Sequence, residues 1–342
     1  MSRAGTLRRR AGVALPALLA ALVVACGGDQ PDARAGTEGL LRVVTTISPL
    51  TSIAENIGGD RVVIDGIVPE GTDSHTFEPA PSVARLMADA DLIVLNGLAL
   101  EQPSLEMAEA NRREGAVILL LGDRALSPEQ RVFDFSFPES AGDPNPHLWT
   151  DPMLALRYAE LIAEQLSALD PDNAGYFEVN LATFRTRIEL LDAAIEAAVA
   201  TVPAQHRKLL TYHDSFPYFA RRYGMEVIGA VQPADFSEPS PREVARLIDQ
   251  VRAEALPAIF GSAVFPSGVL ETIARESGAR YVDELRDDDL PGEPGDARHS
   301  YLGLMVTNVE IMVPALGGNA DALAGLDTGA VFEGDSHARY PQ

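Results

Sequence analysis

From Leu41 onward the chain alternates short apolar runs with amphipathic stretches. Leu41 to Ile47 (LRVVTTI) and Arg61 to Val68 (RVVIDGIV) are rich in β-branched residues and predict strands; between them Pro49 opens a helix that stops at Gly58-Gly59. Ser82 is expected to cap a helix through Ala88, Leu92 to Leu95 reads as a third strand, and Glu101 to Arg113 as a helix. Ala116 to Leu121 (AVILLL) is a fourth strand without a polar side chain, as expected where helices cover both faces of a sheet. Strand and helix alternate, which predicts an α/β lobe with a four-stranded parallel sheet.

Gly122 to Pro146 is polar and loop-like, and ends in the string NPHLWTDP, after which Asp151 starts a helix to about Leu169. From Pro171 to Val202 apolar residues recur at spacings of three and four (Leu181, Phe184, Ile188, Leu191, Ile195, Val199), so this is one long helix. At ~1.5 Å per residue it spans roughly 40 Å, the width of a domain, and its place between two α/β segments makes it a connecting backbone. The first pattern then repeats. Lys208 to Tyr212, Met225 to Val231, Ala258 to Gly261 and Ala279 to Val282 are strands; helices start at Asp214, Ser240, Ser267 and Ser300. The expected organisation is a leader over 1–25, a tether over 26–40, an N-terminal lobe over 41–170, a linking helix over 171–203, a C-terminal lobe over 204–317, and a weakly patterned, partly disordered tail over 318–342.

Composition adds an address. The N-terminus has a basic region with Arg3, Arg8, Arg9 and Arg10, then an apolar run of fifteen residues ending in small residues before Cys26. That run is short of the ~20 residues a membrane span needs, so it reads as an export signal. Val23-Val24-Ala25-Cys26 resembles a lipobox, and Cys26, the only cysteine, is expected to be lipidated and to anchor the protein to the cell membrane on its extracytoplasmic side. No disulfide can form within the chain. Removing residues 1–25 takes away four arginines and no acid, moving the formal charge from −23 to −27. Such a field argues against nucleic acid as a partner and concentrates cations.

Three of the six histidines sit in loop-like contexts: His75 in GTDSHTFEPAPS, His147 in NPHLWTDP, and His213 at the end of a strand. Parallel sheets bind ligands beyond the carboxyl ends of their strands. His75 follows the second strand of the first lobe, His213 the first strand of the second, and Asp283 the fourth. With His147 they are candidates for one four-ligand site between the lobes, suited to Zn2+ or, with more open geometry, to Mn2+ or Fe2+. Spacing alone does not decide it, since no HExxH-like pair is present.

The strings SHTFEPAPS, NPHLWTDP, TYHDSFPYFARRYG, and ARYVDEL followed by SYLGLMVTNVEIMV closely resemble the solute-binding lipoproteins of zinc and manganese ABC importers, over about Leu41 to Gly317. The resemblance implies two α/β lobes, each with a parallel sheet flanked by helices, joined by one long rigid helix with a metal ion held between them. It implies the ligands His75, His147, His213 and Asp283, with Glu284, Asp287, Asp288 and Asp289 close enough in sequence to replace Asp283. It implies capture of Zn2+, with Mn2+ or Fe2+ as alternatives, and delivery to an ABC permease by a monomer that is not an enzyme. The third ligand, His213, favours zinc, because imidazole is a softer donor than carboxylate. Two departures stand out: Gly122 to Pro146 holds no histidine, and Ile259-Phe260-Gly261-Ser262 lacks an acidic residue that relatives often carry there.

The other histidines have plainer readings: His206 as structural or exposed, His299 at the start of the last helix, and His337 in the tail. Glu78 and Pro79 shape a loop; Phe77 and Trp149 pack around the site. A zinc hydrolase would need a carboxylate base beside a metal-bound water, and a metal-containing adhesin a surface-binding role; the sequence provides no dedicated base for the first.

Overall fold

The computed structural model of the chain describes residues 37–232 and 239–342. The leader and Cys26 lie outside the described residues. Among the described residues no helix is long and apolar enough to cross a membrane.

The first half runs β1 (Leu41–Thr45), α1 (Ser48–Gly58), β2 (Val62–Gly66), α2 (Val83–Asp89), β3 (Leu92–Leu95), α3 (Gln102–Asn111), β4 (Val117–Leu120) and a single turn, α4 (Leu121–Ala125). Then come α5 (Pro152–Leu169) and the long α6 (Ala174–Ala200). The second half runs β5 (Lys208–Thr211), α7 (Pro217–Tyr223), β6 (Glu226–Ala230), α8 (Pro241–Ala253), β7 (Ala258–Ser262), α9 (Gly268–Ser277), β8 (Arg280–Leu285), α10 (Tyr301–Ala315) and β9 (Ala338–Arg339).

Two parallel sheets result, ordered β4-β3-β1-β2-β9 and β6-β5-β7-β8. In the first, Val43 faces Ile64 on one side and Leu92 on the other. In the first sheet the wholly apolar β3 sits inside and is buried along its length, while β4, equally apolar, forms one edge and is only half-buried; the charged RYVDEL of β8 lies at the edge of the second sheet, where outward side chains reach water.

The long helix behaves as its periodicity requires. Phe177, Phe184, Ile188, Leu191, Ile195 and Val199 are buried, and the helix packs on α1, α5 and α10. The core under it is continuous: it joins Val43 and Ile64 of the first sheet to Phe260 and Val282 of the second. A smaller second core, with Leu247, Val251, Ile259 and Ile273, lies beneath α8 and α9. Helix starts follow the sequence. Asp151 accepts from the backbone of Met153, Ser240 and Glu243 form a reciprocal capping box, and Ser267 and Ser300 cap α9 and α10. Ser82 does not cap α2; its own backbone is already helical.

Two expectations need correction. The tail does not stay apart: after α10 it crosses back to the first sheet, where Ala338 and Arg339 pair with Ile64 and Asp65 as a fifth strand. Two residues are too few to show a strand period, so the sequence could not reveal it. And β8 continues three residues past Val282, so Asp283 lies inside the strand.

Candidate metal centre

Each of the three loop histidines leaves a fold element that aims it at one point. His75 is on the loop after β2, His213 two residues beyond β5, and His147 just ahead of the turn leading into α5. Their Nε2 atoms form a triangle with edges of 3.1 Å (His75–His147), 3.2 Å (His75–His213) and 3.0 Å (His147–His213). Three neutral imidazoles cannot satisfy this triangle among themselves. One Nε2–H can be donated to a neighbour, but two lone pairs then face each other at contact distance. Three nitrogens at ~2.0–2.1 Å from a shared tetrahedral ion would stand about 3.3 Å apart, close to the observed edges.

The proton position on His147 follows from its neighbours. The side-chain amide of Asn145 donates to Asp134 Oδ2 (3.0 Å) and to the Asp214 carbonyl (2.7 Å). Its oxygen is therefore the atom facing His147, 2.8 Å from Nδ1. His147 donates there from Nδ1, and Nε2 keeps its lone pair for the centre of the triangle. The Pro146 carbonyl, one residue before, accepts from Asn96 Nδ2 (3.0 Å), so the turn after β3 also fixes the histidine's backbone.

Charge and burial act together. His147 is fully buried, with Trp149 packed 5.1 Å from its ring and Phe137 6.0–6.1 Å from the rings of His75 and His147. Burial, and secondarily the neighbouring His213, push His75 and His147 well below the ordinary imidazole range, so both are held neutral and ready to donate lone pairs.

The carboxylates come from the turn after β8. One oxygen each of Asp287 and Asp288 lies with a His147 ring nitrogen in a group whose atoms are all within 4.8 Å of one another. Asp288 Oδ2 accepts from the Ser74 amide (3.3 Å), while its Oδ1 is buried without a hydrogen-bond partner among the described residues. Burial first, and then Asp287 beside it, hold the Asp288 carboxyl well above its usual range. Asp289 is pushed up to about 7 by burial, against the pull of the Gly71 amide that it accepts. Gly71 reaches it from a left-handed conformation (φ 83°) that a residue with a side chain adopts at a cost. The Trp149 indole donates to the Asp287 carbonyl (2.8 Å), so loops from both sheets are tied around the triangle.

The structure thus brings together His75, His147 and His213 and leaves Asp283 out. Asp283 is exposed within β8 and belongs to neither metal-competent group among the described residues. Asp287 and Asp288, beyond the carboxyl end of the strand, are the acidic residues that lie beside His147. Asn145, Asp73 and Phe137 were not singled out by the sequence. Asn145 stands two residues before His147, the one sign of its supporting role. Of the remaining histidines, His206 donates to the Leu316 carbonyl (3.1 Å), and His299 is buried beside Glu70 and Tyr340. Phe77 packs against the main core.

Fold and site together define a two-lobed α/β binding protein with a nitrogen-rich, cation-ready centre in its cleft. Comparison with known proteins is consistent with that class. The family described as zinc-uptake complex component A, periplasmic, matches residues 43–315. The manganese ABC transporter substrate-binding lipoprotein PsaA of Streptococcus pneumoniae is 30% identical over 283 residues, covering 81% of this chain and 89% of that protein. The iron-binding protein YfeA of Yersinia pestis is 28% identical over 276 residues, covering 81% and 86%. The solved structure of the periplasmic zinc-binding protein TroA from Treponema pallidum matches with a TM-score of 0.74 at 27% identity, covering 81% of this chain and 99% of that one. The chain belongs to the zinc-uptake component A family.

Proposed function

We propose that the protein captures Zn2+ on His75, His147, His213 and Asp288, outside the cytoplasm, and delivers it to an ABC permease for import. The observation that carries this reading is the triangle of three Nε2 atoms with edges of 3.0–3.2 Å. Three imidazoles and one carboxylate fill a tetrahedral sphere, which suits holding and transporting an ion and leaves no position for an activated water. The imidazole majority favours zinc over harder ions. No covalent step is involved. The ligands lie on loops from both sheets, so release needs only a movement of one loop when the permease engages. A lipid on Cys26 keeps this monomer at the membrane, and its net negative charge draws cations toward it.

One observation favours a second reading, Mn2+ or Fe2+. Asp287 offers another carboxylate beside His147, and a five- or six-coordinate site with two carboxylates accepts harder ions. The relatives named for manganese and for iron support keeping it. Competitive calorimetric titration of the metal-free chain with Zn2+, Mn2+ and Fe2+ tests the choice. Zn2+ binding tightest supports the first reading; Mn2+ or Fe2+ displacing Zn2+ at equal concentration replaces it with the second.

A further inference from the structure

The C-terminal segment lies beyond the residues the family matches, which end at 315, and it packs where the metal loop begins. β9 continues the first sheet past β2, whose carboxyl end leads directly into the His75 loop. Arg339 forms an ion pair with Asp65, the next-to-last residue of β2 (2.8 Å). A Cβ on Gly66 would stand 3.1 Å from both the Arg339 carbonyl and the Pro341 ring, so the tail sits directly on the strand end. The Pro341 carbonyl accepts from the Glu70 amide (3.1 Å). Tyr340 turns inward, donates to Glu55 (2.5 Å), and meets the ring of buried His299 edge-on at 4.7 Å.

Glu70 stands at the root of the His75 loop, where the tail meets it. The next amide, Gly71, is held by Asp289, and the Ser74 amide by Asp288, the carboxylate assigned to the ion. His299, which stands ahead of α10 in the C-terminal half, approaches Glu70 to 3.7 Å from the other side. The tail thus closes over a junction between the two loops that carry His75 and Asp288. We propose that residues 335–342 are a positioning strap, holding the root of the His75 loop against the Asp288 turn so that an ion leaves only as fast as this junction loosens. The part of this proposal that concerns the ion rests on the metal-capture reading above; the part that concerns the loop does not.

The test uses the full chain, the chain ending at Gly334, and the Tyr340→Ala and Tyr340→Phe variants. Amide exchange of Gly71 and Ser74 is followed in the ion-free protein, and Zn2+ release by transfer to a chromogenic chelator. The strap predicts that exchange and release both quicken about tenfold in the shortened chain and in Tyr340→Ala, while Tyr340→Phe, which keeps the ring on His299, stays close to the parent. Amides deep in α6 should exchange as before, which a general loss of stability would not allow. Unchanged exchange at Gly71 and Ser74 in Tyr340→Ala overturns the strap, as does faster exchange with unchanged release; if the shortened chain does not fold, Tyr340→Ala carries both readouts. Exchange that quickens as predicted in the variants, beside a full chain that takes up no Zn2+, would overturn the metal reading instead.

Discussion

Asn145 Oδ1 stands 2.8 Å from His147 Nδ1, and nothing about that contact is adjustable. The amide's nitrogen is engaged by Asp134 and by the Asp214 carbonyl, so its oxygen has to face the ring, and the ring has to turn its lone pair inward. The orientation of the triangle therefore begins at a residue that is not one of its three corners. Replacing Asn145 by Ala should leave the fold in place and weaken ion binding by about 10–100-fold, the usual effect of removing the partner of a metal-binding histidine. Calorimetric titration with Zn2+ measures it.

The carboxylate assignment separates two acids five positions apart. Asp288→Asn should lower Zn2+ affinity at least as far as the loss of a supporting partner does, about 10–100-fold, because it removes the charged oxygen of the donor set. Asp283→Asn, on an exposed position of an edge strand, should leave affinity within about twofold of the parent and stability within ±0.5 kcal/mol. Titration of both variants side by side decides between them.

Much of this was legible in the residues themselves. Strand and helix alternation, the capping serines and the apolar stripe of α6 placed nearly every element within a residue or two. The three histidines stood out as loop residues at strand ends. The end of β8 was harder to read: Asp283 and Glu284 look like the end of a strand, but an edge strand tolerates outward charges, so β8 runs on to Leu285 and the acids that lie beside His147 come later. The fifth strand was hidden because a two-residue strand has no period, and its fixing contacts, such as Arg339 with Asp65, join residues 274 positions apart. Asn145 was hidden because its role depends on which way an amide points.

Ion uptake should release a proton from the centre. Burial holds the Asp288 carboxyl well above its usual range, so the empty site keeps a proton there to a higher pH than an ordinary carboxyl would, and a cation must displace it. The two depressed histidines contribute little, since they are already neutral. Titrations at about pH 6 in buffers of different ionisation enthalpy should therefore show net proton release that Asp288→Asn abolishes. Equal release in the variant would assign the proton elsewhere.

Glu101 makes the fold itself sensitive to pH. Its carboxyl is fully buried and pushed up to about 7 by burial, against the hydroxyl of Thr46 and the amides of Asn96 and Gly97, which favour its charge. Between its unfolded value near 4.5 and about 7 the folded chain binds more protons than the unfolded one, so this group's contribution to stability falls as pH rises through that window. The charged form costs about 3 kcal/mol by this linkage. Glu101→Gln should flatten the fall: denaturant midpoints measured from pH 4.5 to 8 should decline less steeply with rising pH in the variant than in the parent.

The long helix holds both halves through its buried stripe. Phe184 is fully buried and faces the ring of Tyr301 at 6.4 Å. Phe184→Ala should cost about 3–5 kcal/mol of stability, read from urea unfolding, because the rigid core around it cannot close the cavity.

The central claim is that the three imidazoles of the cleft hold one ion. Metal analysis of the purified chain after exposure to Zn2+ and gel filtration, beside the same chain carrying His75→Ala and His213→Ala together, tests it most directly. A site built on these imidazoles should hold one equivalent of zinc per chain in the parent and close to none in the double variant; the same zinc content in both would contradict it.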